Sequence, residues 1–173
     1  MADDAPTHAA ARIQPGDRVP SVKVMRASAE GPREVDAAEL FAGKTVVLFG
    51  VPGAFTPTCS ARHLPGYVEH AAALREKGAD LVACLAVNDA FVMAAWAKAN
   101  DVSEDAVAML ADGSGALTRA MGLEFDLSAR GLGVRSQRFV LVARDGVVRH
   151  LAVEEPGAFE VSRAEDALAA LAA

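Results

Sequence analysis

Apolar residues in this chain gather into short continuous runs that are separated by stretches with helical spacing. Two of the runs, KTVVLFGV (44–51) and ADLVACLAV (79–87), show no polar alternation and are typical of strands covered on both faces. A short outer strand is predicted at 22–25 and another strand at 106–110. The segment 139–153, FVLVARDGVVRHLAV, predicts a β-hairpin with Asp-Gly as its two-residue turn.

Helical spacing between and after these runs predicts a helix in each connection. The longest helix is expected over residues 57–77, with a kink at Pro65 and an end at Gly78. The C-terminal helix is expected to start with a capping box formed by Ser162 and Glu165. The remaining predicted helices lie at 36–43, at 91–100 behind an N-cap at Asn88-Asp89, and at 115–122.

In the first part of the chain the predicted strands and helices alternate, and a hairpin and a final helix follow. The resulting order is β-α-β-α-β-β-α. This order predicts an α/β chain with the thioredoxin-like fold, in which helices flank a central mixed sheet. The chain of 173 residues has the size of one domain. We expect residues 13–173 to form that domain, and the polar, alanine-rich residues 1–12 to be a disordered tail.

The composition narrows the range of partners. The formal net charge of −6 argues against nucleic acid and anionic membranes. The N-terminus has no basic start and no apolar run, so no secretory signal or transit peptide is expected, and the longest apolar runs are too short to cross a bilayer. Two cysteines without a pairing framework fit a reducing compartment, and we expect a cytoplasmic protein.

One cysteine lies where a buried strand leads into a helix, in the segment VPGAFTPTCSARHLPGY (51–67). Thr56 is predicted to cap this helix and Pro57 to occupy its first position, so Cys59 falls in the first turn. The unpaired N–H groups and the positive end of the helix dipole there favour a thiolate. The carboxyl ends of parallel strands are also where open α/β sheets bind ligands. Cys84, inside an apolar strand, is interpreted as an inert core residue.

Three kinds of chemistry could use such a thiol. Disulfide exchange normally needs C-x-x-C, and this chain has T-P-T-C in its place. A cysteine hydrolase would use His63 as its base, but no Asn or Asp is evidently placed to orient the imidazole, and a packed helix histidine is the simpler interpretation. Peroxide reduction needs a thiolate and hydrogen-bond donors, which the Thr56 hydroxyl and the free amides of the turn could supply. A zinc site is not expected, because only Cys59 and His63 have suitable ligand spacing.

The same segment contains P-x-x-x-T-x-x-C, the signature of the peroxiredoxins, at Pro52, Thr56 and Cys59. Together with HLPGY, LVACLAVNDAFVMAAWAKAN, MLADGSGALTRAMGLEFDLSARGLGVRSQRF and VSRAEDAL, it resembles the type II peroxiredoxins, the peroxiredoxin-five subfamily. The resemblance is strongest to the plant and bacterial members that are linked to glutathione or glutaredoxin. It covers residues 13–173, which is nearly the whole chain.

The resemblance implies a role for each matching position. Cys59 corresponds to the peroxidatic cysteine, which attacks a peroxide as thiolate and becomes a sulfenic acid. Thr56 corresponds to the threonine whose hydroxyl hydrogen-bonds the sulfur and the peroxide oxygen, and Pro52 to the proline that shields the sulfur. The backbone amides of Thr58 and Cys59 would hold the peroxide oxygens. Arg138 corresponds to the arginine that favours the thiolate and stabilises the transition state.

The implied activity is that of a thiol peroxidase, which reduces hydrogen peroxide and small organic hydroperoxides to water and alcohols without metal, haem or flavin. Glutathione would be the thiol co-substrate, with glutaredoxin or thioredoxin as protein partner, because Val161 and Ser162 stand where some animal members carry a resolving cysteine. A homodimer is expected, since type II members commonly pair through a face near the active site. The alternatives are a monothiol, glutaredoxin-like thiol transferase and a redox-sensing or chaperone-like protein without enzymatic activity.

Overall fold

The structure, a computed structural model, describes residues 11–173, and the centre of this part of the chain is a seven-stranded sheet. Its strands are β1 (Lys23–Arg26), β2 (Arg33–Asp36), β3 (Thr45–Gly50), β4 (Leu81–Ala86), β5 (Ala108–Ala111), β8 (Phe139–Arg144) and β9 (Val147–Val153). A separate small sheet is formed by β6 (Glu124–Asp126) and β7 (Val134–Ser136). The spatial order in the large sheet is β2-β1-β5-β4-β3-β8-β9.

The large sheet is mixed, with parallel strands at its centre. β3 pairs in parallel with β4, and β4 with β5, whereas β8 runs antiparallel beside β3, and β9 beside β8. β4 is buried at every position and β3 at all but its first. Strands that are covered on both faces read as unbroken apolar runs, which is why these two could be predicted. The thioredoxin-like α/β arrangement expected from the sequence is confirmed.

Helices cover both faces of the sheet. They are α1 (Ala37–Phe41), α2 (Leu64–Glu69), α3 (Ala71–Glu76), α4 (Ala90–Ala99), α5 (Ala116–Ala120) and α6 (Ala164–Ala172). On one face the core joins Tyr67 of α2, Trp96 of α4 and Leu171 of α6. On the other face the core includes Phe41 of α1 and Leu117 of α5. The two cores are separated by the sheet, and the sites of interest belong to the first.

The structure confirms one turn and one helix cap that were predicted from the local sequence. The β8–β9 hairpin turns at Asp145 and Gly146, which both have a positive φ (49° and 74°), as a two-residue turn of this kind requires. Asp89 caps α4, because its side chain accepts a hydrogen bond from the Val92 N–H at 2.8 Å.

The helix predicted over residues 57–77 begins where expected but is not continuous. Residues Cys59–His63 form a π-helical turn, in which the N–H of Leu64 donates to the first carbonyl of the turn. Pro65 follows directly and has no N–H to donate, so a regular α-helical ladder cannot pass through this point. A second break at His70 separates α2 from α3.

The capping box predicted for the C-terminal helix is wrong by one residue. The backbone N–H of Arg163 donates to Asp166 at 2.9 Å, and the Arg163 guanidinium bonds the same carboxylate. The Ser162 hydroxyl instead donates to Glu154 at 3.3 Å. The Glu154 carboxylate is buried and needs hydrogen-bond donors. Because the Ser162 hydroxyl is one of these donors, it does not cap the helix.

Three strands were not predicted from the sequence. β2, with the sequence REVD, has no buried residue, and β6 and β7 have three residues each, with the sequences EFD and VRS. Strands that are this short and rich in charged residues show no apolar run, so the pattern that identifies β3 and β4 is missing.

Most of the expected N-terminal tail, residues 1–10, lies outside the described residues. At its end, the Arg12 guanidinium donates to Gln137 at 3.3 Å, and the Ile13 N–H donates to the Met121 carbonyl at 2.8 Å. Over residues 11–173, no helix has the length and apolar character needed to cross a membrane. Within the same range, no group of three or more His, Cys, Asp or Glu side chains is arranged to hold a metal ion.

Candidate active site

The loop after β3 is held in a tight shape that positions the start of the next helix. The Ala54 N–H donates to Asn88 Oδ1 at 2.9 Å, which ties the loop to the segment that follows β4. Phe55 has a left-handed backbone (φ 64°), a conformation that is rare for an aromatic residue. The Thr56 N–H turns back to the Gly53 carbonyl at 3.4 Å. The chain therefore reverses within a few residues and leads directly into the helix.

The helix start leaves two backbone N–H groups ahead of its first hydrogen bond. That bond runs from the Ser60 N–H to the Thr56 carbonyl at 3.0 Å, so the N–H groups of Thr58 and Cys59 precede it. Such groups, at the positive end of the helix dipole, stabilise an anion. The turn is anchored to α4, because the buried Trp96 donates from Nε1 to the Ser60 hydroxyl at 3.0 Å.

A cation contacts the thiol directly. The Arg138 guanidinium donates from Nη2 to Cys59 Sγ at 3.1 Å, and Cys59 is fully buried (0 % exposed). Water therefore screens this charge-assisted bond much less than it would at the surface. Arg138 reaches the sulfur because the next residue, Phe139, begins β8 and pairs with Gly50 at the end of β3. Gly50 is required here, since an added Cβ would lie 2.0 Å from the Phe139 ring.

His63 is not placed to act as a base. Its ring is fully buried, its Nδ1 accepts from Arg138 Nη1 at 2.8 Å, and its Nε2 donates to the Ser162 carbonyl at 2.9 Å. Burial, and secondarily the positive charge of Arg138, lowers the pKa of His63 to about 3. The imidazole is therefore neutral and its basic lone pair is occupied by Arg138. This geometry excludes the cysteine-hydrolase interpretation and agrees with that of a packed helix histidine.

The Thr56 hydroxyl has a different part in this geometry from the one expected. It donates to the Gly53 carbonyl at 2.7 Å, and no backbone N–H of the helix start donates to its oxygen, so the side chain does not cap the helix. The hydroxyl consequently offers lone pairs to the site and not a donor. The expectation that Thr56 supplies a donor is corrected: it can accept a hydrogen bond from a substrate O–H. The donors are Arg138 and the free amides of the turn.

A cavity of about 390 Å³ opens over this arrangement. Pro52, Thr56, Thr58 and Arg138 are among the residues that line it, and the Pro52 carbonyl accepts from Arg135 Nη1 at 3.3 Å. The apolar part of its wall comes from Phe125, Leu127, Leu132, Pro156 and Ala158. Because a water-sized molecule occupies only about 30 Å³, the cavity has room for a substrate much larger than hydrogen peroxide.

Cys84 belongs to strand β4, and both cysteines contribute to the core on the same face of the sheet. It is paired with Phe49 in the β3–β4 register, and it is fully buried in the core to which Cys59 also belongs. Burial raises the pKa of the Cys84 thiol well above its usual value, and a charge on Cys59 raises it further. The prediction of a buried, un-ionised core thiol is confirmed.

Three features around the site were missed by sequence reasoning. The contact of His63 with the guanidinium and the bond from Trp96 to the helix turn are both long-range. Glu154, a carboxylate that is 6 % exposed, accepts hydrogen bonds from the Glu160 and Val161 N–H groups and so fixes a segment at the rim of the cavity. Only Trp96 carries a sequence signal, because it is the one tryptophan of the chain.

Comparison with known proteins agrees with this geometry. A profile of the Redoxin family matches residues 14–168. The protein Peroxiredoxin-2E-2, chloroplastic, of Oryza sativa subsp. japonica is 52% identical over 165 residues, which are 93% of this chain and 73% of that protein. The crystal structure of reduced Prx3 in complex with H2O2 from Vibrio vulnificus is 51% identical with a TM-score of 0.87, and the match covers 92% of this chain and 99% of that chain. Peroxiredoxin 5 from Alvinella pompejana is 34% identical with a TM-score of 0.81, over 92% of this chain and 98% of that chain.

Replacing Arg138 by alanine should remove the cation that faces the sulfur. We expect the thiolate fraction at neutral pH to fall, and the rate of peroxide attack to drop by about a hundredfold, the cost of losing one buried donor to a reacting group. Stopped-flow reaction with hydrogen peroxide, without any reductant, measures the rate, and thiolate absorbance measures the ionised fraction. The control is Arg149→Ala, at an exposed position of β9. Equal rates in the two variants would contradict the role of Arg138.

Replacing Thr56 by valine keeps the shape of the side chain but removes the hydroxyl. Because the site then loses its acceptor for the substrate O–H, we expect kcat/KM for peroxide to fall by roughly tenfold to a thousandfold. Thr56→Ser retains the hydroxyl and should be far milder. Steady-state kinetics of both variants make the comparison, and equal damage from both would mean that this position contributes packing by its methyl group.

Proposed function

The chain belongs to the redoxin family and is a type II peroxiredoxin, and from this premise we propose that glutathione completes its thiol peroxidase cycle in a one-cysteine mechanism. Cys59 is the peroxidatic residue in this proposal. Hydrogen peroxide and small organic hydroperoxides are the oxidising substrates, and a glutaredoxin is the protein partner.

In the proposed cycle the Cys59 thiolate attacks one oxygen of the peroxide. The S–O bond forms as the O–O bond breaks, which leaves a sulfenic acid on the sulfur. The departing hydroxide or alkoxide takes up a proton and leaves as water or alcohol. The Thr56 hydroxyl accepts from the substrate O–H, while the amides of Thr58 and Cys59 and the Arg138 guanidinium face the charge that develops on the oxygens. The sulfur supplies both electrons, so this chemistry requires no metal, haem or flavin.

One observation supports this assignment more than any other, namely the 3.1 Å bond from the Arg138 guanidinium to the Cys59 sulfur. It lies at a helix start and below a cavity that is open to small molecules. The thiolate is the nucleophilic form of cysteine, and a neighbouring cation together with free N–H groups stabilises it. Pro52 lines the same cavity, and in this proposal it shields the sulfur from solvent.

The position of the second cysteine supports an external reductant. Cys84 lies opposite Phe49 within the sheet, whereas Cys59 lies beyond the end of β3. Cys84 is therefore fixed by the β3–β4 ladder close to the end of β3, while Cys59 is held by the helix turn. The chain contains two cysteines, both are free, and Cys84 is fully buried, so we assign the resolving thiol to an external reductant.

The proposed resetting steps therefore use thiols from outside the chain. Glutathione condenses with the sulfenic acid, forms a mixed disulfide on Cys59 and releases water. A glutaredoxin or a second glutathione then attacks the mixed disulfide and frees the Cys59 thiolate. We also propose that the protein works in the cytoplasm, where its two free thiols stay reduced and glutathione is present.

Steady-state peroxide consumption with glutathione plus glutaredoxin, set against thioredoxin plus its reductase, tests the reductant. We expect turnover to be faster with the glutathione pair, because the proposed intermediate is a mixed disulfide of Cys59 with glutathione, which glutaredoxin reduces. Cys84→Ser should retain glutathione-linked turnover near the wild-type level, whereas Cys59→Ser should abolish it. Mass spectrometry after one equivalent of peroxide plus glutathione should show an adduct on Cys59 alone.

Three outcomes of these measurements would contradict the proposed cycle. A dominant Cys59–Cys84 disulfide, together with loss of turnover in Cys84→Ser, would refute the one-cysteine mechanism. A faster reaction with a mixed glutathione disulfide than with peroxide would favour the thiol-transferase alternative. An oxidised Cys59 that persists in the presence of cellular thiols would favour the redox-sensing or chaperone-like alternative.

We propose a homodimer that forms through the face beside the cavity. Three of the exposed large apolar side chains are Phe55 (56% exposed), Phe91 (74%) and Val134 (44%). Their segments are joined around one loop: Ala54 bonds Asn88, three residues before Phe91, and Arg135, next to Val134, bonds the Pro52 carbonyl. Exposed aromatic and aliphatic groups that lie together on one surface favour association with a second apolar surface. A second copy of this chain offers the same surface.

Sedimentation analysis of the wild type and of Phe91→Glu tests the dimer. We expect a dimer at micromolar concentrations for the wild type and a shift to monomer for Phe91→Glu, because a charge buried at an apolar interface is costly. Val161→Glu is the control, since Val161 is also exposed but is not joined to the same loop. A monomeric wild type, or a Phe91→Glu protein that assembles as the wild type does, would contradict the proposal.

A further inference from the structure

The arginine that contacts the sulfur is also held by His63. Arg138 directs Nη2 to Cys59 Sγ at 3.1 Å and Nη1 to His63 Nδ1 at 2.8 Å. A guanidinium is planar and rigid, so fixing one of its terminal nitrogens also fixes the direction of the other. The histidine therefore determines where the arginine points.

The His63 ring is itself immobilised on every side. Its Nε2 donates to the Ser162 carbonyl at 2.9 Å, the carbonyl to which the Tyr67 hydroxyl also donates at 2.9 Å. The rings of Phe49 and Phe159 lie at centroid distances of 5.0 Å from it. Because Nε2 carries the proton, Nδ1 is left with the lone pair that Arg138 requires.

The chemical nature of the acceptor matters as much as its position. A carboxylate at this place would also accept a hydrogen bond from Arg138, but it would neutralise the guanidinium and weaken its attraction for the thiolate. A neutral imidazole orients the cation and leaves its charge to the sulfur. Burial together with the charge of Arg138 keeps His63 neutral, with its pKa lowered to about 3.

We propose that His63 is a positioning residue for peroxide attack: as a buried, uncharged acceptor it directs the Arg138 guanidinium onto Cys59 without sharing its charge. It also connects the arginine to the segment before α6 through the Ser162 carbonyl. This inference deepens the account of the same site, but it concerns the attack step alone and is independent of the reductant.

Isosteric substitutions at His63 separate charge from shape. Asparagine carries an acceptor oxygen close to the position of Nδ1, and aspartate has the same shape with a negative charge. Glutamine reaches toward the position of Nε2 and leaves Nδ1 without a substitute. We expect His63→Asn to keep the rate of peroxide attack within about threefold of the wild type, whereas His63→Gln and His63→Asp should lose about tenfold or more.

The measurement is a single-turnover reaction with hydrogen peroxide in the absence of glutathione, so its result does not depend on the proposed reductant. Thiolate absorbance at neutral pH is recorded for the same proteins, and we expect the ionised fraction to fall in His63→Gln and His63→Asp but not in His63→Asn. Thermal unfolding shows whether each variant is folded. Equal rates and equal thiolate fractions in folded His63→Asn and His63→Asp would overturn the proposal, because a packing role does not distinguish them.

A second measurement uses the wild-type protein and needs no variant to fold. Nitrogen-15 NMR of the histidine rings should show His63 neutral at neutral pH, with its proton on Nε2 and Nδ1 as acceptor. This result would support the proposal. A protonated His63, or a proton on Nδ1, would overturn it, because neither form can accept from Arg138.

Discussion

The proposed reaction needs a negative sulfur inside a protein core, and the rest of this site depends on that constraint. Removing an anion from water costs several kcal/mol unless charges and hydrogen bonds replace the water. Cys59 is fully buried, and its environment supplies a guanidinium on one side and a helix start on the other. The tight loop before the helix makes the second contribution possible, because it leaves the first amides of the turn without helical partners. The loop and the strands around the site hold the guanidinium and the helix start next to the sulfur.

The sheet determines that the two sources meet. β3 and β8 are antiparallel neighbours, so the residue that follows β3 and the residue that precedes β8 lie at the same edge. The helix with Cys59 leaves from the first point and Arg138 stands at the second, although 79 residues separate them in the chain. The absence of a side chain at Gly50 lets the Phe139 ring pack there and keeps the strand ends close. The geometry of the candidate active site is thus determined by the register of β3 and β8.

The features that could be predicted from the sequence depend on residues that are close together in the chain. Those that could not be predicted depend on contacts between distant segments. The buried strands, the Asp145-Gly146 turn and the helix start before Cys59 depend on nearby residues, and all were predicted. Arg138 could not be distinguished from the arginines beside it by local pattern, and only the resemblance to a family singled it out. The direction of the Thr56 hydroxyl depends on where a loop carbonyl points. The shift of the C-terminal cap depends on the buried Glu154, whose need for donors is a fact of three-dimensional packing.

The bond from the Trp96 indole to Ser60 gives the protein a built-in optical probe. Trp96 is the only tryptophan of the chain, it is fully buried, and its Nε1 bonds the residue next to Cys59 in sequence. An event that unwinds the helix start and displaces Ser60 breaks this bond and opens the surroundings of the indole Nε1. Exposure of an indole to water shifts its fluorescence to longer wavelength. The emission of the unmodified protein therefore reports in real time whether the turn that carries the reactive sulfur is wound or open.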